Sequence, residues 1–317
     1  VTKRLLIASR VVGLSDIATG IRRFTLRPER RELFPPSVAG SYVTVRHQSG
    51  LLRTYSLCGD ADRRETFEFA VQREPDGRGG SMLFHDDIDI GDPVHVSYPI
   101  PSLVLAEDAP EHVFVAGGIG VTPFLPLALE VDRRGQRSVL HYAVRSRSQL
   151  AFLEEFAGIA SLTVKVYVSS EGNRMRIDAL LAGLNATAHL YACGPDRLLS
   201  AVSDACETMA VGPERIHLES FSGLDPAKAR AGDPFTVNLR LSKREIAVPA
   251  DKSMLQALND AGVGVDYSCE GGVCGACRVT LVSGDVIHRD ICLTDAARAE
   301  TIITCVSRGR GIVTLQL

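Results

Sequence analysis

Apolar and polar positions change rhythm twice along this chain. Up to about residue 105 they alternate with a period near two, most plainly in Tyr42-Val-Thr-Val-Arg46, Phe67-Glu-Phe-Ala-Val71 and Val94-His-Val-Ser-Tyr98. That period places successive side chains on opposite faces of a strand. Gly50, Gly59, Gly77 and Gly91 punctuate the runs, and short strands joined by glycine turns predict an antiparallel β-barrel. From 106 to 223 the pattern becomes short apolar runs, at 113–115, 139–144, 164–168 and 190–192, separated by helical stretches that include 149–156 and 197–209. Strand–helix alternation of this kind predicts a doubly wound parallel sheet with helices on both faces. Residues 224–234 hold two prolines, a glycine and mixed charge and read as a linker. Alternation resumes at Phe235, and a short helix is predicted from about Ser253 to Asp260, stopping near Gly262. The segment 235–317 reads as a small α+β module. The predicted organisation is therefore a barrel over 1–105, a parallel-sheet domain over 106–223, the linker, and the C-terminal module.

Composition narrows the function classes. The 317 residues suit two or three domains, and 45% hydrophobic and 23% charged residues are ordinary for a folded domain protein. A formal net charge of −3 makes no case for nucleic acid or a membrane surface as partner. The longest uncharged stretch, 113–129, is interrupted by Gly117, Gly118, Gly120, Pro123 and Pro126 and is too short to span a bilayer comfortably. Lys3 and Arg4 are followed by only a few apolar residues, so no signal peptide is expected.

Chemistry concentrates first in Cys269-Glu-Gly-Gly-Val-Cys274-Gly-Ala-Cys277, with Cys305 further on. The spacing C-x4-C-x2-C followed by a distant fourth cysteine is the plant-type [2Fe–2S] pattern. Gly271, Gly272 and Gly275 allow a tight loop whose backbone N–H groups face the sulfurs. The alternative is a four-cysteine zinc site, but zinc sites usually present two short knuckles rather than one three-cysteine loop and a single. The other cysteines (Cys58, Cys193, Cys206 and Cys292) are expected as buried free thiols in a reducing cytosol, hence a cytoplasmic protein.

Four further motifs are individually weak. In Arg53-Thr-Tyr-Ser-Leu57 the guanidinium offers a forked donor for phosphate or ribityl oxygens, the Tyr55 ring a flat surface, and Ser56 a hydrogen bond to a flavin edge. The bland alternative is an ordinary half-buried strand. Gly77-Arg-Gly-Gly-Ser81 opens a predicted helix and suits a phosphate, or is a plain helix-entry loop. Val115-Ala-Gly-Gly-Ile-Gly-Val-Thr-Pro123 follows a buried strand and suits a dinucleotide pyrophosphate, although it is not the G-x-G-x-x-G fingerprint. Tyr191-Ala-Cys-Gly-Pro195 ends a strand of the same sheet, so Cys193 either faces a nicotinamide or is a buried thiol. Arg145 and Arg147 follow the 139–144 strand and either bind ribose or phosphate or are solvated. His141, His189 and His217 read as core or surface histidines, lacking metal-spaced partners.

Taken in order over the full length, these motifs resemble the phthalate dioxygenase reductase family, within the ferredoxin–NADP reductase superfamily. The resemblance implies an FMN-binding barrel, a nicotinamide-binding α/β domain and a C-terminal plant-type ferredoxin domain. It assigns Arg53, Thr54, Tyr55 and Ser56 to the flavin motif, Ala70, Val71 and Gln72 to the strand lining the flavin, and Gly79, Gly80 and Ser81 to the FMN phosphate loop. It places Gly117, Gly118, Gly120, Arg145, Gly194 and Pro195 at the nicotinamide cofactor. Thr122 and Cys193 fall near the site of hydride transfer, together with Ser56, and Phe221 beside the isoalloxazine. Cys269, Cys274, Cys277 and Cys305 become the cluster ligands. It implies an enzyme passing electrons from NADH through FMN and the cluster to a terminal oxygenase, most naturally a Rieske non-haem iron enzyme. Alternatives are a haem monooxygenase or other metalloenzyme as acceptor, or a redox-sensing role. NADH is favoured over NADPH because Ser169, Ser170 and Glu171 occupy the position for a 2′-phosphate, with Arg174 and Arg176 keeping NADPH open. A monomer is the expected state.

Overall fold

The computed structural model describes residues 6–77, 79–107, 109–221 and 231–317. Of the linker predicted at 224–234, residues 224–230 lie outside the described residues, as do Lys3, Arg4 and Arg78. Alternating sequence at the N-terminus forms a seven-stranded sheet: β1 (Leu6–Ala18), β2 (Ile21–Pro28), β3 (Ser41–Arg46), β4 (Leu52–Ser56), β5 (Phe67–Gln72), β6 (Pro93–Ser97) and β7 (Ile100–Pro101). The strand order is β4-β3-β6-β1-β2-β5, with β7 on β3. Leu57 bridges antiparallel to Phe69 on β5, so the chain leaving one end strand meets the other and the sheet curls into a barrel. The β1–β2 hairpin pairs Ala18 with Ile21 across a turn that Gly20 completes at φ +72°. Alternate residues point inward: Phe24 and Leu26, Phe67 and Phe69, Val43 and Val45, Val94 and Val96 form one buried cluster. Phe24 stacks on Phe69 at 5.2 Å and Phe34 on Phe67 at 3.9 Å, each burial contributing about 2–3 kcal/mol.

The second sheet is wholly parallel: β8 (Glu111–Gly117), β9 (Arg137–Val144), β10 (Leu162–Val168), β11 (His189–Gly194) and β12 (Ile216–Ser220), in the order β10-β9-β8-β11-β12. The chain winds from β8 to β9 and β10, then returns to the other side of β8 for β11 and β12. The order reverses between β8 and β11, and ligands bind at the carboxyl ends of strands at such a switch point. Alternate residues of β8 serve opposite faces. Phe114 and Ala116 share a core with α2 (Phe124–Arg133) and α3 (Leu153–Ala157), whereas Val113 and Val115 pack with α4 (Ile177–Ala182) and α5 (Asp196–Thr208). The helix expected over 149–156 is broken. A 3-10 turn covers Arg147–Gln149, and α3 starts only after Phe152, held at φ +62°. A left-handed residue cannot continue a right-handed helix, and nothing in the apolar spacing signalled it.

Barrel and parallel sheet share one core: Ile21, Cys58, Ala70, Leu103 and Leu105 cluster with Phe114, Phe124 and Tyr142. The rhythm change near residue 105 falls between β7 and β8, yet packing is continuous across it, and Leu6–Gly50 with Tyr55–Phe221 form a single compact unit. The other unit comprises the C-terminal residues together with Leu51–Thr54. Its sheet runs β14-β13-β17-β15-β16, from β13 (Phe235–Leu239), β14 (Arg244–Val248), β15 (Arg278–Ile287), β16 (Thr301–Ile303) and β17 (Arg308–Leu315). Helices α6 (Met254–Asp260) and α7 (Asp295–Arg298) complete it. The Ser253 hydroxyl accepts from Gln256 N–H while the Gln256 side chain accepts from Ser253 N–H, a reciprocal cap, and Gly262 follows α6 at φ +76°. Met254, Leu255 and Leu258 of α6 pack on Val237, Val248 and Val313. No helix among the described residues is long and apolar enough to cross a membrane.

Candidate functional site

The glycine turn after β8 sits hard against the end of β11. A Cβ on Gly120 would lie 2.4 Å from the Cys193 carbonyl oxygen, and one on Gly117 would lie 2.8 Å from Pro195 Cδ and Leu198 Cδ2. Gly194 answers from the other side, its added Cβ falling 3.0 Å from Gly117 Cα. Gly117, Gly120 and Gly194 thus let two strand ends meet backbone to backbone, a duty distinct from the ligand approach that the motif suggested. Gly118, at φ +54°, has only Gln72 Oε1 nearby, at 3.9 Å, and is the glycine that faces open space. The turn continues as a 3-10 helix, Gly118–Val121, and the buried Thr122 hydroxyl donates to the Ile119 carbonyl at 3.0 Å. Thr122 therefore stitches the turn.

Cys193 is fully buried, and its Sγ lies 3.7 Å from Glu219 Oε2 on β12. Burial and the adjacent carboxyl push the thiol well above its ordinary value, so it is a neutral donor. Glu219 is itself buried and its carboxyl is pushed up to about 7 by that burial, partly offset by Ser102, Cys193 and Ser56, which face it. Ser56, at the end of β4, is 6% exposed, and its hydroxyl faces Glu219. The sequence pattern did not reveal Glu219. Its signal was slight: an acidic residue at a register position opposite Cys193 in the next parallel strand.

The remaining barrel residues divide. The Tyr55 ring stacks on Phe69 at 4.9 Å and meets Phe84 edge-on at 5.2 Å, so one face of the ring belongs to the barrel wall. Val71 points into the barrel core and Ala70 into the core shared with the parallel sheet. Half-buried Gln72 donates to Glu74 Oε1 at 2.6 Å. Gly79 caps α1 (Gly80–Asp86) at φ +76° with open space where a Cβ would be, and the Ser81 hydroxyl accepts from Glu74 N–H at 3.0 Å. Arg53 and Thr54 belong to the C-terminal unit by contact. Arg53 Nη1 donates to Leu52 O at 2.8 Å, and Thr54 Oγ1 lies 3.1 Å from Ser268 Oγ.

Around the parallel sheet, Arg145 is exposed, whereas Arg147 is tied to Glu171 by two contacts of 3.0 and 2.6 Å. Arg176 pairs with Asp178 at 2.6 Å. Phe221 is 40% exposed just past β12, and Pro195 caps α5. His141 is buried against the Tyr167 hydroxyl at 2.9 Å and His189 faces His217 at 3.1 Å, in keeping with core and surface roles. Cys58 and Cys206 are buried, but Cys292, expected to be buried, is partly exposed because it lies on the loop before α7 rather than in an apolar run.

In the C-terminal unit four sulfurs converge. Cys269 lies within hydrogen-bond reach of Cys274 and Cys305, and Cys277 of Cys305. Gly271 N–H donates to Cys269 Sγ at 3.4 Å, and Ala276 N–H to Cys274 Sγ at 3.4 Å. Cys274 and Cys305, with the Gly271 N–H, hold Cys269 well below the usual thiol range, and Cys305 lowers Cys277. Gly272 and Gly275 take φ +80° and +59°, while Glu270 reaches +55° without being glycine. Convergent thiols with backbone N–H groups aimed at them fit an iron–sulfur cluster. Ser56 Oγ and the open space at Gly118 and Gly79 fit a flavin and a nucleotide.

Comparison with known proteins agrees with this geometry. Residues 237–309 match the 2Fe-2S iron-sulfur cluster binding domain family. A cluster of this kind, joined to a barrel and a switch-point sheet, defines a modular electron-transfer oxidoreductase. Phthalate dioxygenase reductase of Burkholderia cepacia is 38% identical over 312 residues, 97% of this chain and 95% of that protein. A solved phthalate dioxygenase reductase, described as modular for electron transfer from pyridine nucleotides to [2Fe-2S], superposes with TM-score 0.72 at 35% identity over 99% of this chain and 98% of that one. An intact type IV self-sufficient cytochrome P450 monooxygenase gives TM-score 0.82 at 40% identity over 99% of this chain, which spans 41% of that protein. The chain belongs to the phthalate dioxygenase reductase family.

Proposed function

We propose that this chain oxidises NADH with bound FMN and hands the electrons singly through a [2Fe–2S] cluster to a terminal oxygenase. The observation that carries the reading is the joining of Ser56, Cys193 and Glu219 at the carboxyl ends of β8 and β11. Two neutral donors and a carboxyl sharing a proton near neutrality meet where a doubly wound sheet binds its ligand. FMN, when bound, supplies the conversion of one hydride into two single electrons. The residues do the rest. Ser56, which faces Glu219, offers its hydroxyl to the flavin edge, Cys193 lines the nicotinamide position, and Glu219 holds a proton behind both. Gly118 leaves room for the nucleotide, and Gly79, Gly80 and Ser81 supply donors for the flavin phosphate. Ala70, Val71 and Gln72 form the wall beside the flavin, with Tyr55, Thr122 and Phe221 completing its surroundings. The Arg147–Glu171 pair favours NADH, because it neutralises a guanidinium that a 2′-phosphate needs.

Boundaries at 105 and at 224–234 and a monomeric state belong to the same proposal. The acceptor is most simply a Rieske non-haem iron oxygenase. A haem monooxygenase is the second reading, favoured by the likeness to the self-sufficient P450; turnover with each type of acceptor separates the two. The primary test is a visible spectrum before and after anaerobic NADH. Flavin and iron–sulfur absorption bleaching together, with FMN released by acid, is the expected result. A protein that stays colourless after reconstitution overturns the reading.

A further inference from the structure

The face of the parallel sheet that carries α4 and α5 is incompletely covered. Helix α4 has six residues and spans about 9 Å, while β10, with seven, spans about 23 Å. Outward positions on β9 and β10 are accordingly polar: His141, Lys165 and Tyr167 stand where a longer helix would demand apolar residues. Between α4 and these strands runs a half-open groove of about 430 Å³, within the size range of small-molecule sites, about 300–1,000 Å³. Exposed Arg174 and Lys165 line it, neither with a hydrogen bond or ion pair among the described residues, whereas Arg176 is already held by Asp178. Val113, Val139 and Leu180 make the floor apolar. His141 lines it while only 7% exposed, and burial pushes its ring down to about 4, so it is neutral and steadied by the Tyr167 hydroxyl at 2.9 Å. Glu111, at the amino end of β8, puts a negative charge at the far end.

We propose that this groove binds a small organic anion with a flat apolar body, its charged end between Lys165 and Arg174, its body on Val113, Val139 and Leu180, and a polar atom against His141. Glu111 sets the orientation by repelling the charged end. The groove is separate from the glycine turn and Cys193. It opens along the helix face of the sheet and reaches the amino end of β8, whereas those groups lie at the carboxyl ends of β8 and β11. Removing both cationic partners from a partly desolvated anion weakens its binding about tenfold or more.

The test is calorimetric titration of 2-naphthoate into the cofactor-loaded protein with saturating NAD, which keeps the nucleotide position filled. One molecule of naphthoate per chain is expected, at least tenfold weaker in Lys165→Ala/Arg174→Ala, and absent in Ala179→Phe, whose ring fills the groove. The neutral 2-naphthamide should bind at least tenfold more weakly than naphthoate. No binding of naphthoate at millimolar concentration, unchanged affinity in the exposed double variant, or equal binding of the amide overturns the proposal. The double variant replaces exposed side chains, so the test stands even if Ala179→Phe fails to fold.

Discussion

At the scale of single residues, the site is governed by what burial does to charge. Glu219 is an acid whose folded pKa is raised to about 7 from 4.5. The folded state therefore binds more protons than the unfolded one between those values, and the stability conferred by the neutral carboxyl is lost as pH rises through 7. Glu219→Gln keeps the shape without the charge. It should be more stable than the parent at pH 8, by up to about 3 kcal/mol, and indistinguishable at pH 4; denaturant titrations at the two pH values check this. The same variant should erase an ionisation near pH 7 from the rate of NADH-driven flavin reduction, while a retained break there would remove Glu219 from the site. Among the sulfurs, Cys274→Ser should abolish the cluster spectrum and one-electron output, yet leave NADH-driven reduction of a two-electron dye by the flavin. Survival of both spectrum and output would show that Cys274 is not a ligand. The four cysteines were legible because their spacing is itself the signal. Glu219 was not, because its partners come from β4, β11 and the segment after β7, and only pairing of distant strands brings them together.

At the scale of elements, the glycines after β8 show how one motif admits two explanations. Their residue type was evident; the reason for it was not. Gly120 is small because the Cys193 carbonyl lies within 2.4 Å of where a Cβ would be. Gly120→Ala should cost about 1–3 kcal/mol through overpacking against backbone that cannot yield, and it should slow hydride transfer by moving Cys193. Thermal melting with stopped-flow flavin reduction checks both; an unchanged melting temperature would mean that the strand ends part easily. Helix α6 is the opposite case. Ser253 and Gly262 announced its limits, since helix ends are marked by residues within a few positions. Helix α3 was misplaced for want of any local mark at Phe152.

On the scale of the whole molecule, one compact unit carries three histidines that burial pushes below their ordinary value: His112, His141 and His217. A base with a depressed folded pKa takes up its proton on unfolding. Its contribution is therefore full above the unfolded value of 6.5 and declines as pH falls below it. Glu219 acts in the opposite sense over part of that range, so the clean measurement is in Glu219→Gln. Its melting temperature should fall steadily from pH 6.5 to 5, and a flat profile would show that these rings titrate normally in the fold. The barrel and parallel sheet should melt together, because Ile21, Ala70 and Leu105 share a core with Phe114 and Phe124. Two separate transitions within that unit, followed by near-ultraviolet circular dichroism, would contradict the shared core.

The sequence by itself determined the strand periods, the limits of α6, the four-cysteine spacing and the ordered motifs, most of which are written in neighbours a few residues apart. Only the tertiary structure decided that Gly117, Gly120 and Gly194 serve backbone packing, that Arg147 is spent on Glu171, that Ser56, Cys193 and Glu219 share one buried spot, and that α4 leaves a groove over β9 and β10. The physical reason is the same in each instance. Local rules act along the chain, whereas desolvation, close approach and charge pairing depend on which distant segments the fold presses together.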